Sequence, residues 1–162
     1  MESLRYLATE LQDTRALAET LAPQLRADDV ILLNGPLGSG KTTFVQQIAR
    51  ALGYQDPVTS PTFTIANFYE CPSLTVLHID AYRLETLAEF RDLGLTDFGE
   101  ECCTLIEWGA LVADEFIDSL VVEISFTSHG ETEREFKITA ETERWESALR
   151  EMRSGHLRLV GQ

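Results

Sequence analysis

The sequence predicts an α/β fold in one domain, with a mixed, mostly parallel central sheet flanked by helices and an antiparallel hairpin towards the C-terminus. A short apolar, β-branched run at 30–33 precedes a glycine-rich stretch and an uninterrupted helical pattern. Two later apolar runs end in acids, Asp80 and Glu107, as strands do at the ligand edge of such sheets. The length of 162 residues fits a single domain over 1–162, too small to add a separate substrate domain.

The first predicted element is an amphipathic helix from about residue 10 to 26. Leucines recur there at helical spacing, from Leu7 to Leu25. Three polar residues could cap its start: Thr9, Asp13 and Thr14. Packing on the sheet is the simplest role for this helix, and the alternative is that its N-terminal end, around Thr14, borders the adenine base of a nucleotide.

Residues 35–42 match the phosphate-loop pattern G-x-x-x-x-G-K-[ST] at every fixed position. Glycines without a Cβ let the backbone N–H groups turn towards phosphate oxygens, and a helix predicted over 43–52 adds the positive end of its dipole. We expect Lys41 to reach the β- and γ-phosphates and Thr42 to offer its hydroxyl to Mg²⁺. A complete match between a strand and a helix disfavours a glycine-rich turn that binds nothing.

The stretch from 54 to 62 is predicted to be a loop because it contains prolines and a serine. Ser60-Pro61-Thr62-Phe63 lies about 20 residues after the phosphate loop, where a segment that senses the γ-phosphate is common, although an ordinary loop is equally compatible. Two strands follow, over 63–69 and 74–80. The second ends at Asp80, the place of a Walker-B carboxylate, and its His78 is interpreted as a packed, hydrogen-bonded strand residue.

A strand over 102–106 ends in Glu107-Trp108. At this edge a carboxylate points into the ligand crevice, so Glu107 is a candidate Mg²⁺ ligand or water-orienting residue, with a solvated glutamate as the alternative. Trp108 is expected to pack rather than to stack on a base. The other predicted elements are a short helix over 85–93, a helical turn over 111–116, a hairpin of 120–126 with 133–139, and a final helix over 141–152.

The net charge and the cysteines limit the kinds of partner and the cellular location that we expect for this protein. The 27 Asp and Glu against 13 Lys and Arg give a net charge of −14, so unaided RNA or membrane binding is not expected. Residues 85–107 carry seven acids and one arginine, a net −6 that suits a basic protein partner. The three cysteines lack ligand spacing, and the chain has no signal pattern or long apolar stretch, which predicts a cytoplasmic protein.

Four motifs occur in order over about residues 9–126: G-P-L-G-S-G-K-T-T-F, S-P-T-F, H-I-D-A-Y-R and I-E-W. Together they resemble the TsaE (formerly YjeE) family of small P-loop ATPases in bacterial threonylcarbamoyladenosine tRNA modification. The resemblance implies ATP contacts at Thr14, Gly35, Leu37, Gly38, Ser39, Gly40, Lys41, Thr42, Thr43 and Trp108. It also implies Mg²⁺ at Thr42, Asp80 and Glu107, catalytic roles for Lys41, Asp80 and Glu107, and a switch-like loop at Ser60, Pro61, Thr62 and Phe63.

The resemblance further implies a partnership with the TsaD–TsaB heterodimer. TsaD transfers the threonylcarbamoyl group to the adenosine beside the anticodon, and ATP hydrolysis supports repeated turnover, so tRNA is met only through the complex. We expect slow hydrolysis by the isolated chain because the motifs include no arginine finger. Pro36 replaces the usual Asp of the family, which removes an N–H and a carboxylate from the loop.

Two other functions fit a phosphate loop. A small-molecule kinase usually has an arginine-rich lid, whereas the central acidic segment has one arginine. A binding module gated by nucleotide would make hydrolysis incidental. A GTPase is disfavoured because the sequence has no N-K-x-D signature.

Overall fold

The computed structural model describes residues 1–61, 65–155 and 157–160. Within these residues, seven strands form one sheet in the order β1-β7-β6-β2-β5-β4-β3. The strands are β1 (Glu2–Ala8), β2 (Val30–Asn34), β3 (Ala66–Glu70), β4 (Thr75–Asp80), β5 (Cys102–Glu107), β6 (Ser119–Phe126) and β7 (Arg134–Ala140). The α-helices are α1 (Leu11–Leu21), α2 (Lys41–Ala51), α3 (Leu87–Asp92) and α4 (Glu143–Ser154). Short 3₁₀ segments cover Ala22–Gln24, Leu95–Glu101 and Gly109–Glu115.

The centre of the sheet is parallel. β2 lies between β5 and β6, and β4 lies beyond β5, with all three pairings parallel. The margins are antiparallel, since β3 pairs with β4, β7 with β6 and β1 with β7. The predicted α/β class, with a mostly parallel sheet and a C-terminal hairpin, is therefore confirmed, and the carboxyl ends of β2, β4 and β5 lie at one edge.

The two faces of the sheet carry separate apolar clusters. Ile31 and Leu33 of β2 belong to the cluster that includes the buried faces of α1, α2 and α4. Val30 and Leu32 belong to a smaller cluster with α3 and the 3₁₀ segment after β5. A strand covered on both faces has no polar side to show, which explains the continuous apolar run at 30–33.

The N-terminal prediction was wrong in part. Leu7 lies in strand β1, which pairs with β7, and not in the helix. The helix itself ends at Leu21 and gives way to a 3₁₀ turn that contains Pro23, a residue that cannot continue an α-helix. Its N-cap is Glu10, three residues before Asp13.

The remaining elements agree with the prediction to within a few residues. The hairpin of β6 and β7 and the antiparallel pair of β3 and β4 are present. Trp145, Leu149 and Met152 on α4 are buried. Among the described residues, no helix combines the length and apolar character that crossing a membrane requires.

Candidate nucleotide-binding site

The glycine-rich loop joins the end of β2 to the start of α2. Gly35, Gly38 and Gly40 all have positive φ, at 149°, 77° and 104°. Gly40 is the N-cap of α2 and has no side chain with which to cap it. The first-turn N–H groups of α2 therefore have no side-chain acceptor from the cap, and this is the setting in which a helix start binds an anion.

Lys41 is held against this loop. Its Nζ donates to the carbonyl oxygens of Gly35 at 2.7 Å and Pro36 at 3.0 Å, and lies 4.1 Å from the centre of the Trp108 ring. Burial lowers the pKa of Lys41, while the carboxylates of Glu107 and Asp80 act in the opposite direction. The ammonium group is therefore placed between the loop and the two acids.

Asp80 and Glu107 stand opposite each other at the carboxyl ends of the parallel strands β4 and β5. Both side chains are buried, with 6% and 3% of their surface exposed. Two like charges across adjacent strands destabilise a sheet unless a cation lies close by. Lys41 is one such cation, and two carboxylates with a hydroxyl form the oxygen donor set that Mg²⁺ prefers.

The two acids have different partners. Thr42 Oγ1 donates to Glu107 Oε1 at 2.6 Å, so Glu107 is tied directly to the start of α2. Asp80 accepts hydrogen bonds from Ser60 Oγ at 3.2 Å and from the Tyr82 N–H at 3.0 Å. The structure thus brings Ser60 of the predicted switch-like loop to Asp80, and the hydroxyl predicted to bind Mg²⁺ to Glu107. Metal binding by these residues stays a prediction.

Three cavities in the described part of the chain are lined by residues of the loop, and two of them share Gly38 and Gly40. The first, about 270 Å³, lies between the loop and the two acids and is also bordered by Ser60, Tyr82 and Trp108. The second, about 290 Å³, is bordered by Thr14, Arg134 and Phe136. Gly38, Gly40 and Thr43 line both cavities. The loop thus separates a cavity lined by Asp80 and Glu107 from a cavity lined by Glu10 and Glu131, and none of the predicted metal ligands lines the second cavity.

Most sequence-predicted residues converge on these cavities. The residues that line one or both are Thr14, Leu37, Gly38, Ser39, Gly40, Lys41, Thr42, Thr43, Ser60, Asp80, Glu107 and Trp108. The Leu37 side chain is 76% exposed, whereas that of Ser39 is fully buried with its hydroxyl unpaired among the described residues. Pro61 is buried next to Ser60, and Thr62 and Phe63 lie outside the described residues.

Sequence reasoning missed Arg134. This residue begins β7, and its Nε donates to the Ser39 carbonyl at 3.1 Å, while its guanidinium lies 4.5 Å from the centre of the Phe126 ring. The hairpin therefore holds the glycine-rich loop from the side of the second cavity. The spacing of the motifs could not predict this role of Arg134. Arg134 lies near the loop only because β6, the partner of β7, is the neighbour of β2 in the sheet.

The chain is similar in sequence to a family of known proteins. The family model described as "Threonylcarbamoyl adenosine biosynthesis protein TsaE" matches residues 8–136. A curated TsaE protein of Bacillus subtilis is 36% identical over 154 residues, covering 94% of this chain and 95% of that protein. The Aquifex aeolicus TsaE protein is 41% identical over 111 residues, covering 67% and 79% of the two chains.

A solved structure agrees with the sequence comparisons. The crystal structure of Bacillus subtilis YdiB superposes with a TM-score of 0.78 at 30% identity, covering 94% of this chain and 95% of that one. The matched region runs from the end of β1 to the third residue of β7, so it includes both acids, the glycine-rich loop, β6 and Arg134. The chain belongs to the TsaE family.

Proposed function

We propose that this chain is a Mg²⁺-dependent ATPase that acts with TsaD and TsaB in threonylcarbamoyladenosine modification of tRNA, in the cytoplasm. The observation that carries the ATPase proposal is the 2.6 Å hydrogen bond from Thr42 to Glu107. It joins a phosphate loop to a buried carboxylate at the carboxyl edge of the sheet. The family name and the relatives' names support the pathway.

The residues of this chain would act mainly by position and charge. The N–H groups of the loop and of the start of α2 would hold the ATP phosphates, with Lys41 as the cation on the transferred group. Thr42, Asp80 and Glu107 would hold Mg²⁺, and Glu107 would also orient the attacking water. A bound Mg²⁺ would neutralise charge on the phosphate oxygens. Catalysis would then rest on electrostatic stabilisation, without a covalent intermediate.

The proposal that partner proteins accelerate hydrolysis rests on the absence, among the described residues, of an arginine in the cavity that contains the two acids. The only arginine that borders either of the two cavities is Arg134, on the side away from the acids. We therefore expect the isolated chain to hydrolyse ATP slowly and the TsaD–TsaB complex to accelerate it. Under this proposal tRNA reaches the chain only through that complex.

The first test is ATP hydrolysis by the chain alone and with TsaD and TsaB, for the wild type and Lys41→Ala. Removing one preorganised donor to the phosphates is expected to lower the rate by roughly a hundredfold or more. Lys137→Ala is the matched control, because Lys137 is the only other lysine and is a half-exposed partner of Glu123. Its rate should equal that of the wild type.

Two outcomes would contradict the proposal. Phosphate appearing on a metabolite, without stimulation by TsaD and TsaB, would favour a kinase. A Glu107→Gln variant that loses hydrolysis but still supports tRNA modification in full would favour a binding module gated by nucleotide.

A further inference from the structure

A chain of buried polar side chains lies beneath Glu107, away from the glycine-rich loop. His78 of β4 is fully buried, and Tyr69 of β3 and Glu107 of β5 are each 3% exposed. His78 Nε2 lies 2.8 Å from Glu107 Oε1, and His78 Nδ1 lies 2.9 Å from the Tyr69 hydroxyl. Three adjacent strands thus each contribute one member.

The strand register explains how these side chains meet. His78 stands opposite Leu105 on β5 and opposite Asn67 on β3. Glu107 and Tyr69 each lie two residues further along those strands, on the same face as the residue opposite His78. Diagonal neighbours of this kind are within reach of long or aromatic side chains. The imidazole therefore bridges the sheet from β3 to β5.

The arrangement fixes the carboxylate of Glu107 by one oxygen. A carboxylate oxygen accepts, so the Nε2–H of His78 donates to Oε1, the same atom that accepts from Thr42. Among the described residues, no side chain or N–H group donates to Oε2, and Glu107 lines the cavity next to the loop. An apolar residue at position 78 would pack at no electrostatic cost, whereas a buried imidazole needs partners on both nitrogens.

This row of polar side chains also reaches Thr59, the residue before the predicted switch-like loop. The Tyr69 hydroxyl lies 3.2 Å from the carbonyl oxygen of Thr59, and burial raises the pKa of Tyr69, so this hydroxyl keeps its proton. The next residue, Ser60, contacts Asp80. The segment Thr59–Ser60 is therefore connected to both acids, directly to Asp80 and through Tyr69 and His78 to Glu107.

We propose that His78 and Tyr69 are positioning residues that orient Glu107 for ATP hydrolysis and link its orientation to the segment Thr59–Ser60. The proposal rests on the ATPase function proposed above. His78 acts through Glu107, and Tyr69 acts through His78. A displacement of Thr59 would move the hydroxyl that His78 contacts, and through it the carboxylate at the cavity.

The test compares His78→Leu, His78→Gln and Tyr69→Phe with the wild type. Measurements are kcat, the ATP KM, the Mg²⁺ concentration for half-maximal hydrolysis, and the affinity for a fluorescent ATP analogue without Mg²⁺. For His78→Leu we expect a loss of about tenfold to a hundredfold in kcat or Mg²⁺ affinity, with analogue affinity unchanged. Glutamine can place a donor near the position of Nε2, so His78→Gln should recover part of the loss.

Tyr69→Phe removes one hydroxyl and keeps the ring, so it tests the link to Thr59 without a large packing change. We expect it to lower kcat by less than His78→Leu does. Its control is Tyr54→Phe, since the Tyr54 ring packs 5.0 Å from that of Tyr69. Among the described residues, the Tyr54 hydroxyl makes none of the hydrogen bonds that join Thr59, Tyr69, His78 and Glu107. Thermal unfolding of each variant separates loss of fold from loss of orientation.

The outcomes separate this inference from the ATPase proposal. Glu107→Gln is measured alongside the other variants. If Glu107→Gln abolishes hydrolysis while folded His78→Leu and Tyr69→Phe retain wild-type kcat and Mg²⁺ dependence, the positioning role is wrong and the ATPase proposal stands. If the wild type with TsaD and TsaB hydrolyses no ATP, the ATPase proposal itself fails. If Glu107→Gln is fully active, Glu107 has no role in hydrolysis, and the positioning role of His78 and Tyr69 is wrong with it.

Discussion

At the scale of single residues, Gly35 shows why the loop needs glycine. Its φ of 149° is one that side chains with a Cβ rarely adopt. A Cβ built there would lie 2.3 Å from the Ile124 carbonyl oxygen on β6 and 2.6 Å from Ser39 Oγ. The carbonyl belongs to the sheet and cannot withdraw, so the loop would have to move instead. The first glycine of the motif therefore sets the distance between the loop and the sheet.

We predict that Gly35→Ala destroys nucleotide binding. The alanine must shift the loop that carries the Lys41 contacts, and the strain should also destabilise the fold by about 1–3 kcal/mol. Gly99→Ala is the control, because Gly99 has an ordinary φ and open space around its Cβ position. Titration with a fluorescent ATP analogue and urea unfolding measure the two effects. Wild-type affinity in Gly35→Ala would contradict the assigned role of the loop.

At the scale of elements, the sequence predicted well those elements that are specified by neighbouring residues, and it missed those that depend on contacts between residues far apart in the chain. The strand–loop–helix unit from β2 to α2 is local, and its motif specifies it almost completely. β1 was missed because leucines shared between β1 and α1 fit a helical period, and the strand is recognisable only by its pairing with β7. Arg134 and Tyr69 were missed for the same reason, since strand order and register bring them to the loop and to His78.

The start of α1 gives a prediction at this scale. Asp13 in the first turn accepts hydrogen bonds from the N–H groups of Thr9 at 2.8 Å and Glu10 at 3.2 Å. These bonds, the Thr9 N–H first, lower the pKa of Asp13 below its ordinary 3.8. Because the folded state prefers the charged form, this stabilisation is complete above the unfolded pKa and is lost as the pH falls through the folded value.

We therefore expect Asp13→Asn to destabilise the fold by about 0.5–1 kcal/mol at neutral pH, since the amide accepts more weakly and carries no charge for the helix start. The difference from the wild type should shrink as the pH is lowered through and below about 3.8, towards the lower folded pKa. Urea unfolding across this range measures it. Asp56→Asn, at an exposed position in the loop after α2, is the control. A difference independent of pH would mean that the carboxylate charge is not what stabilises this turn.

At the scale of the whole molecule, Lys41 and the start of helix α2 differ from the chain as a whole in the sign of their charge. At the proposed site, Lys41 and the start of helix α2 would attract anionic phosphates, whereas the chain as a whole carries a net charge of −14. The proposed site would thus be a small attractive region within a repulsive average field, which suits a nucleotide bound at close range and disfavours a long polyanion such as tRNA. The acidic segment 85–107 lies along β5 and the elements before it, and several of its acids are exposed.

The last prediction concerns this acidic segment and the proposed partners. If it meets a basic surface of TsaD or TsaB, the partner concentration for half-maximal ATPase stimulation should rise severalfold between about 0.05 M and about 0.3 M salt. Asp97→Lys/Glu100→Lys should raise it further. Asp56→Lys/Glu151→Lys, at exposed positions elsewhere, makes the same change in net charge. Equal effects of the two double variants would mean that only net charge matters and that the segment is not the docking surface.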